Sequence, residues 1–252
     1  CYSLPSSVEG EVPGQPAGDQ EPAEPDPDRE TRLRKEAGSL KHLMTHVPKN
    51  PYCSACVRAK ALQKQARRKK NRKNQKANRG EEDEDPVPEK FGDLITADGV
   101  VLNADKDTGI CEEGEMHHAM VIQDVGTKWR MFAPTANKSA SEARKALRDF
   151  VGPGKAVTRF YSDNGGELLR AAEDLGWVHD TSAPYRHEAN AIAERDVRFT
   201  KEGTRTVLVQ CGLPPKWWPL AGSHFSFSAN IEDPEGEETS PWSKRHGGSL
   251  FW

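Results

Sequence analysis

The stretch Tyr161-Ser-Asp-Asn-Gly-Gly-Glu167 puts a carboxylate, Asp163, just past the apolar run 157–161. That run reads as a buried strand, and a helical pattern follows over 167–175. A carboxylate held where a strand stops has a fixed position, and the glycines leave room for a substrate backbone. Asp98 sits inside a second apolar run, Leu94-Ile-Thr-Ala-Asp-Gly-Val-Val101. An acid there is costly to bury without a partner. Glu194 lies in a helical pattern, Asn190-Ala-Ile-Ala-Glu-Arg195. Two acids on strands and one on a helix are what a two-metal phosphoryl-transfer site needs, with Mg2+ or Mn2+ as hard, oxygen-seeking ions.

Each acid taken alone has a plainer reading. Asp163-Asn-Gly-Gly is good turn chemistry, and Glu194 suits a solvated helix face paired with Arg198. Glu167, Glu188 and Asp196 compete for the role of third acid. Asp196 is two positions from Glu194 and points about 200° away on a helix.

A second constellation precedes the first. His42, His46, Cys53 and Cys56 form H-x3-H-x6-C-x2-C. Two histidines at i and i+4 project from one helix face. Pro48 and Pro51 turn the chain, and the Cys pair closes a tetrahedral set. Two imidazoles and two thiolates suit Zn2+ in a closed structural site. Of the remaining cysteines, Cys111 and Cys211 have no tidy ligand spacing. We read Cys111 with His117 and His118 as structural, and Cys211 as buried in an apolar face.

The positioning elements follow from periodicity. Residues 91–102, 119–124, 128–133, 157–161 and 177–181 read as strands. Residues 139–150, 168–175 and 188–211 read as helices. Three early strands followed by alternating helices and strands predict an α/β fold, a mixed sheet with helices on both faces. In the long helix, Glu194, Arg198, Lys201 and Arg205 step by four, three and four and share one stripe, while Ile192, Phe199 and Val207 face the core. Arg198 and Lys201 are candidate DNA contacts, and Arg205 lies farther from the acid. Trp217, Trp218 and Phe225 read as core.

Charge is segregated along the 252 residues, although the formal net charge is only -3. Residues 1–38 are acidic and Pro-rich, the composition of a disordered linker. Residues 58–79 carry no acid and include Arg67-Arg68-Lys69-Lys70. Such a run binds phosphates through counterion release or serves as a nuclear-localisation signal. The acidic run Glu81-Glu-Asp-Glu-Asp85 follows it. No apolar stretch approaches a membrane span of about 20 residues. The first residue is Cys, which suggests a piece of a polyprotein. The expected organisation is therefore linker 1–38, zinc-binding element 39–57, basic arm and acidic linker 58–90, catalytic core 91–230 and a loop-like C-terminal extension 231–252.

With these motifs in hand, the chain resembles the integrase of copia-type long-terminal-repeat retrotransposons over roughly residues 42–245. The resemblance rests on the His/Cys set, Thr96-Ala-Asp98, Ser162-Asp-Asn-Gly-Gly-Glu167, Thr181-Ser-Ala-Pro-Tyr185, Asn190-Ala-Ile-Ala-Glu-Arg195, Leu213-Pro-Pro-Lys-Trp-Trp218 and Ser240-Pro-Trp-Ser-Lys-Arg245. It implies a zinc-binding element before an RNase H-like core, with Asp98, Asp163 and Glu194 as the catalytic, Mg2+-binding triad. The gap between the second acid and the Glu is shorter than the family's, and Ala191 stands where the family has Gly. The resemblance further implies trimming of cDNA 3' ends and their joining to target DNA. Asn190, Arg198, Lys201 and the 67–70 cluster would be DNA contacts. A homo-oligomer working in the nucleus, after cytoplasmic assembly within a polyprotein, is expected, with no membrane partner. The alternative is an inactive or domesticated derivative that only binds DNA.

Overall fold

The computed structural model describes residues 27–60, 87–100, 108–163, 165–181, 187–232 and 239–248. The sheet has five strands: β1 (Ile95–Val100), β4 (His118–Asp124), β5 (Arg130–Thr135), β6 (Phe160–Ser162) and β7 (His179–Thr181), in the order β5-β4-β1-β6-β7. β4 runs antiparallel to both β5 and β1, while β1, β6 and β7 are parallel. A small hairpin, β2 (Gly109–Cys111) and β3 (Gly114–Met116), precedes β4.

Alternation along the strands feeds two cores. Ile95, Ala97, Met120, Ile122 and Ala133 face α4 (Ala140–Val151) and α5 (Gly166–Leu175), where Leu147, Phe150, Leu168 and Ala171 fill the layer. Val100, Ala119, Val121 and Phe132 face the other way, toward Trp218, Val197 and Leu208 of α6 (His187–Cys211) and α7 (Trp218–Ile231). Helices therefore cover both faces of a mixed sheet, as the periodicity predicts. Ser139 caps α4 by accepting the Glu142 N–H, and Gly176, at φ 68°, ends α5 in the left-handed conformation. Both are ordinary start and stop chemistry for these helices. α6 and α7 approach closely at Gly203, where a Cβ would overlap the Phe225 ring. The β4–β5 turn is built on buried Asp124, whose carboxylate accepts from the backbone N–H of Gly92 and Thr127 and from the Thr127 hydroxyl.

Before the sheet lie α1 (Pro27–Ala37), α2 (Leu40–Thr45) and α3 (Ser54–Ala59). The linker expected over 1–38 thus holds an eleven-residue helix near its end, Pro27–Ala37. Asp28 and Glu30 sit in the first turn of α1, Arg34 and Lys35 in the last, and Arg34 bonds Glu30 at 2.7 Å. All of this favours the helix through its dipole and i,i+4 pairing. Asn50 donates to the Leu33 carbonyl and Arg34 lies over the Tyr52 ring, so α1 packs on the segment after α2.

The C-terminal extension is likewise not all loop: α8 (Pro241–His246) starts at Ser240, whose hydroxyl accepts the Ser243 N–H. Arg245 lies over the rings of Phe91 and Trp129 and donates to the Val151 carbonyl, which fixes α8 on the core. Cys211 is exposed rather than buried. It is the last residue of α6, one turn beyond Leu208, which still packs toward the core that holds Trp218. Val207, Trp218 and Phe225 are buried as expected, and Phe199 packs on Phe225. Among the described residues no helix is long and apolar enough to cross a membrane.

Candidate active site and metal centre

Strand register brings the first two acids together. β1 and β6 are parallel with Ala97 opposite Ser162, so Asp98 and Asp163 follow at the same end of neighbouring strands. Period two puts Asp98 on the face of Val100, the face that α6 covers. Asp98 is half-buried, and its carboxyl is pushed above the usual range, first by burial and then by the Asp163 charge. Glu194 adds in the same direction and Lys138 opposes it. The structure thus brings Asp98 and Asp163 side by side, with Glu194 near enough for its charge to act on Asp98. Adjacent like charges favour the neutral acid.

A cleft of about 320 Å³ opens at this end of the sheet, lined by Asp98, Asp163, Lys138, Glu167, His118 and Thr135 among others. Asp163 is exposed to it, and its Oδ1 accepts the Gly165 N–H at 3.1 Å. A Cβ on Gly165 would stand 3.0 Å from both Asp163 Oδ1 and Glu167 Oε1, so only Gly leaves those oxygens unhindered. Behind Asp163, the Ser162 hydroxyl bonds the Asp163 carbonyl at 2.9 Å and His179 Nε2 at 2.8 Å. This local network stiffens the end of β6.

The competing acids differ in their surroundings. Asp196 is buried and bonded to Arg130 at 2.6 Å, on the opposite side of α6 from Glu194. Burial raises its pKa, and the Arg130 guanidinium pulls it back. Glu167 does line the cleft, but it is paired with Lys138 at 2.9 Å. The side chains of Glu188 and Asn190 lie outside the described residues. Lys138 carries no motif in the sequence and was not legible as a site residue. Only the fold brings it to the acids, whose charges hold its ammonium above the usual lysine range, Glu167 most strongly.

The second centre is compact. One ligand atom from each of His42, His46, Cys53 and Cys56 lies within 4.8 Å of the others, and all four residues are buried. Cys53 and Cys56 Sγ stand 3.4 and 3.6 Å from His46 Nδ1, and Cys56 Sγ 3.5 Å from His42 Nε2. The route differs from the expected helix face: α2 ends at Thr45, and His46 takes a left-handed conformation at φ 55°. That kink turns its ring toward the cysteines. Burial lowers the pKa of both histidines, which keeps them neutral and able to coordinate. Sulfur and imidazole donors in a closed, buried set fit a zinc ion, as the sequence predicts.

Along α6, Arg198 and Lys201 are exposed, as a phosphate-binding stripe requires. Arg205 instead donates to the Ala59 carbonyl at 3.3 Å, holding α3 on α6. Residues 67–70 lie outside the described residues.

No protein-family model matches the chain. It is 35% identical over 97 residues to the retrovirus-related Pol polyprotein from transposon RE1 of Arabidopsis thaliana, covering 37% of this chain and 7% of the polyprotein. It is 35% identical over 135 residues to that from transposon RE2 of the same plant, covering 51% of this chain and 9% of the polyprotein. The chain therefore spans less than a tenth of either relative. Among solved structures, a chain of the simian T-cell lymphotropic virus intasome, in complex with PP2A regulatory subunit B56 gamma, superposes with TM-score 0.51 at 18% identity. That match covers 65% of this chain and 57% of the other. The catalytic core domain of BIV integrase aligns with TM-score 0.45 at 17% identity, over 60% of this chain and 92% of that one. By sequence the chain is similar to Pol polyproteins of copia-type retrotransposons, and its fold, a mixed sheet flanked by helices, is shared with the intasome chain.

Proposed function

We propose that this chain is the integrase part of a retrotransposon polyprotein, a metal-dependent polynucleotidyl transferase that trims DNA 3' ends and joins them to target DNA. The observation that supports this best is the gathering of Asp98, Asp163 and the Glu194 charge at one end of the sheet, beside an open cleft. Hard carboxylate oxygens whose charges repel one another suit a divalent cation, and Mg2+ or Mn2+ fits them. Asp98, Asp163 and Glu194 would hold the metal, which when bound sharpens the nucleophile and stabilises the charge developing on the phosphate.

The chain's own contribution is positioning. Asp98, within β1, and Asp163, just past the end of β6, are fixed by neighbouring strands. The glycine at 165 lets a phosphate backbone approach. Arg198 and Lys201 would bind phosphates beside the acids, and Lys138 offers a further cation at the cleft itself. In each step a water or a DNA 3'-hydroxyl gives up its proton and forms a new bond to phosphorus, while the bond from phosphorus to the departing 3'-oxygen breaks and that oxygen takes up a proton. The buried His/Cys set would bind one zinc ion as a structural centre. The basic stretch around Arg67-Arg68-Lys69-Lys70 would add affinity without sequence preference, and a nuclear site of action accords with that stretch.

The test is joining of a short duplex to a plasmid with Mg2+ or Mn2+. Wild-type protein should join ends, and Asp163→Asn should fall to the metal-free background. Removing residues 61–79 should flatten the salt dependence of binding, since each lost phosphate contact removes about 0.9 from the slope. Equal joining by wild type and Asp163→Asn would overturn the enzyme reading. Salt-dependent binding without joining by wild type would leave the binding-only derivative.

A further inference from the structure

The His/Cys centre is completed from a distant part of the chain. His46 Nε2 lies 2.8 Å from the Gln210 side-chain oxygen, across a sequence separation of 164 residues. An amide oxygen only accepts, so Nε2 carries the hydrogen. Nδ1 then keeps its lone pair, and it is Nδ1 that faces the sulfurs of Cys53 and Cys56. His42 differs: its Nε2 faces Cys56, and its buried Nδ1 has no hydrogen-bond partner among the described residues. Among the described residues, of the two imidazoles only His46 is oriented by a side chain from another element.

The surroundings hold this arrangement in place. Arg58 donates to the Val209 carbonyl at 3.2 Å, and Arg205 reaches back to the Ala59 carbonyl. Val209 packs on Cys53, Ala55 and Cys56. Lys60 bonds the His46 carbonyl at 2.8 Å. The last turns of α6 are therefore the floor of the centre, and the same helix carries Glu194 near its other end.

We propose that Gln210 is a positioning residue for the metal centre, fixing His46 as an Nδ1 ligand and so linking metal occupancy near the N-terminal helices to α6. This rests on the reading of the His/Cys set as a zinc site. Partners of this outer-sphere kind typically set 10–100-fold in metal affinity. The coupling is reciprocal: zinc should protect the C-terminal turns of α6, and loss of the Gln210 oxygen should weaken zinc binding.

The experiment is chelator competition for zinc on the full chain, with Co2+ absorption spectra of the same proteins. Wild type should bind one ion per chain, and Cys53→Ser/Cys56→Ser should bind none. Gln210→Leu and Gln210→Lys, which lack an acceptor, should bind zinc roughly 10–100-fold more weakly with altered Co2+ bands. Gln210→Glu, which keeps an acceptor oxygen, should restore wild-type affinity and bands. Helix content by circular dichroism separates a misfolded variant from a weakened site, and the glutamate rescue decides the matter if one variant misfolds. Wild-type affinity and spectra in both acceptor-less variants, or no rescue by Gln210→Glu, would overturn the proposal. A wild-type chain that takes no zinc would overturn the zinc reading itself, a result distinct from equal binding by wild type and variants.

Discussion

Asp98 shows what a half-buried acid beside other acids costs the protein that carries it. Burial and the charges of Asp163 and Glu194 push its carboxyl upward. The folded state therefore holds a proton that the unfolded chain has already lost. The stability this supplies is complete below the unfolded pKa and is lost as pH rises through the raised folded pKa. Asp98→Asn removes that loss. In the presence of a chelator, the variant should unfold at a higher temperature than wild type at neutral pH. The difference should shrink toward acid pH, and adding Mg2+ should raise the midpoint of wild type only. Thermal scans at several pH values check this. Asp163 was legible because it stands where an apolar run meets turn chemistry, and Asp98 because an acid inside an apolar run is costly to bury without a partner. Lys138 and Gln210 were not, since neither has a local signature and each meets its partner only through the fold.

At the scale of elements, α6 is the part on which both sites depend. Arg130 of β5 clamps it through Asp196 at 2.6 Å, with the guanidinium over the Phe199 ring and the Arg130 backbone held by Asn230. This pair is two residues from Glu194 and nearly free of solvent. Arg130→Met strands the Asp196 carboxyl, which should cost about 3–5 kcal/mol in urea unfolding. Arg130→Met/Asp196→Leu should recover most of it, because an apolar pair of similar volume is often neutral or better. An Arg130→Met protein as stable as wild type would show that the clamp contributes nothing. The long helix itself was plain from periodicity. The short helices α1 and α8 were not: the first was hidden beside a Pro- and Glu-rich stretch, and the second is six residues long, too short for a periodic signal. Its Ser-Pro start at 240–241 was the only trace, and a capping residue without periodicity does not make a helix on its own.

The whole molecule joins a His/Cys centre, an acidic cleft and a cationic helix stripe on one framework. The sheet order could be reached from the sequence only as a class, because strand neighbours such as β1 and β6 are set by long-range pairing that no local pattern encodes. The His/Cys set was nonetheless readable, since the chemistry it carries limits which residue types can stand there. The central claim is that Asp98, Asp163 and Glu194 form one divalent-metal site, with Glu194 rather than Glu167 as its third acid. Mn2+ binding followed by electron paramagnetic resonance tests it most directly, on wild type, Asp163→Asn, Glu194→Gln and Glu167→Gln. The account predicts that Glu194→Gln weakens Mn2+ binding as severely as Asp163→Asn does, while Glu167→Gln stays close to wild type. Unchanged Mn2+ binding in Glu194→Gln, or its loss in Glu167→Gln alone, would contradict it.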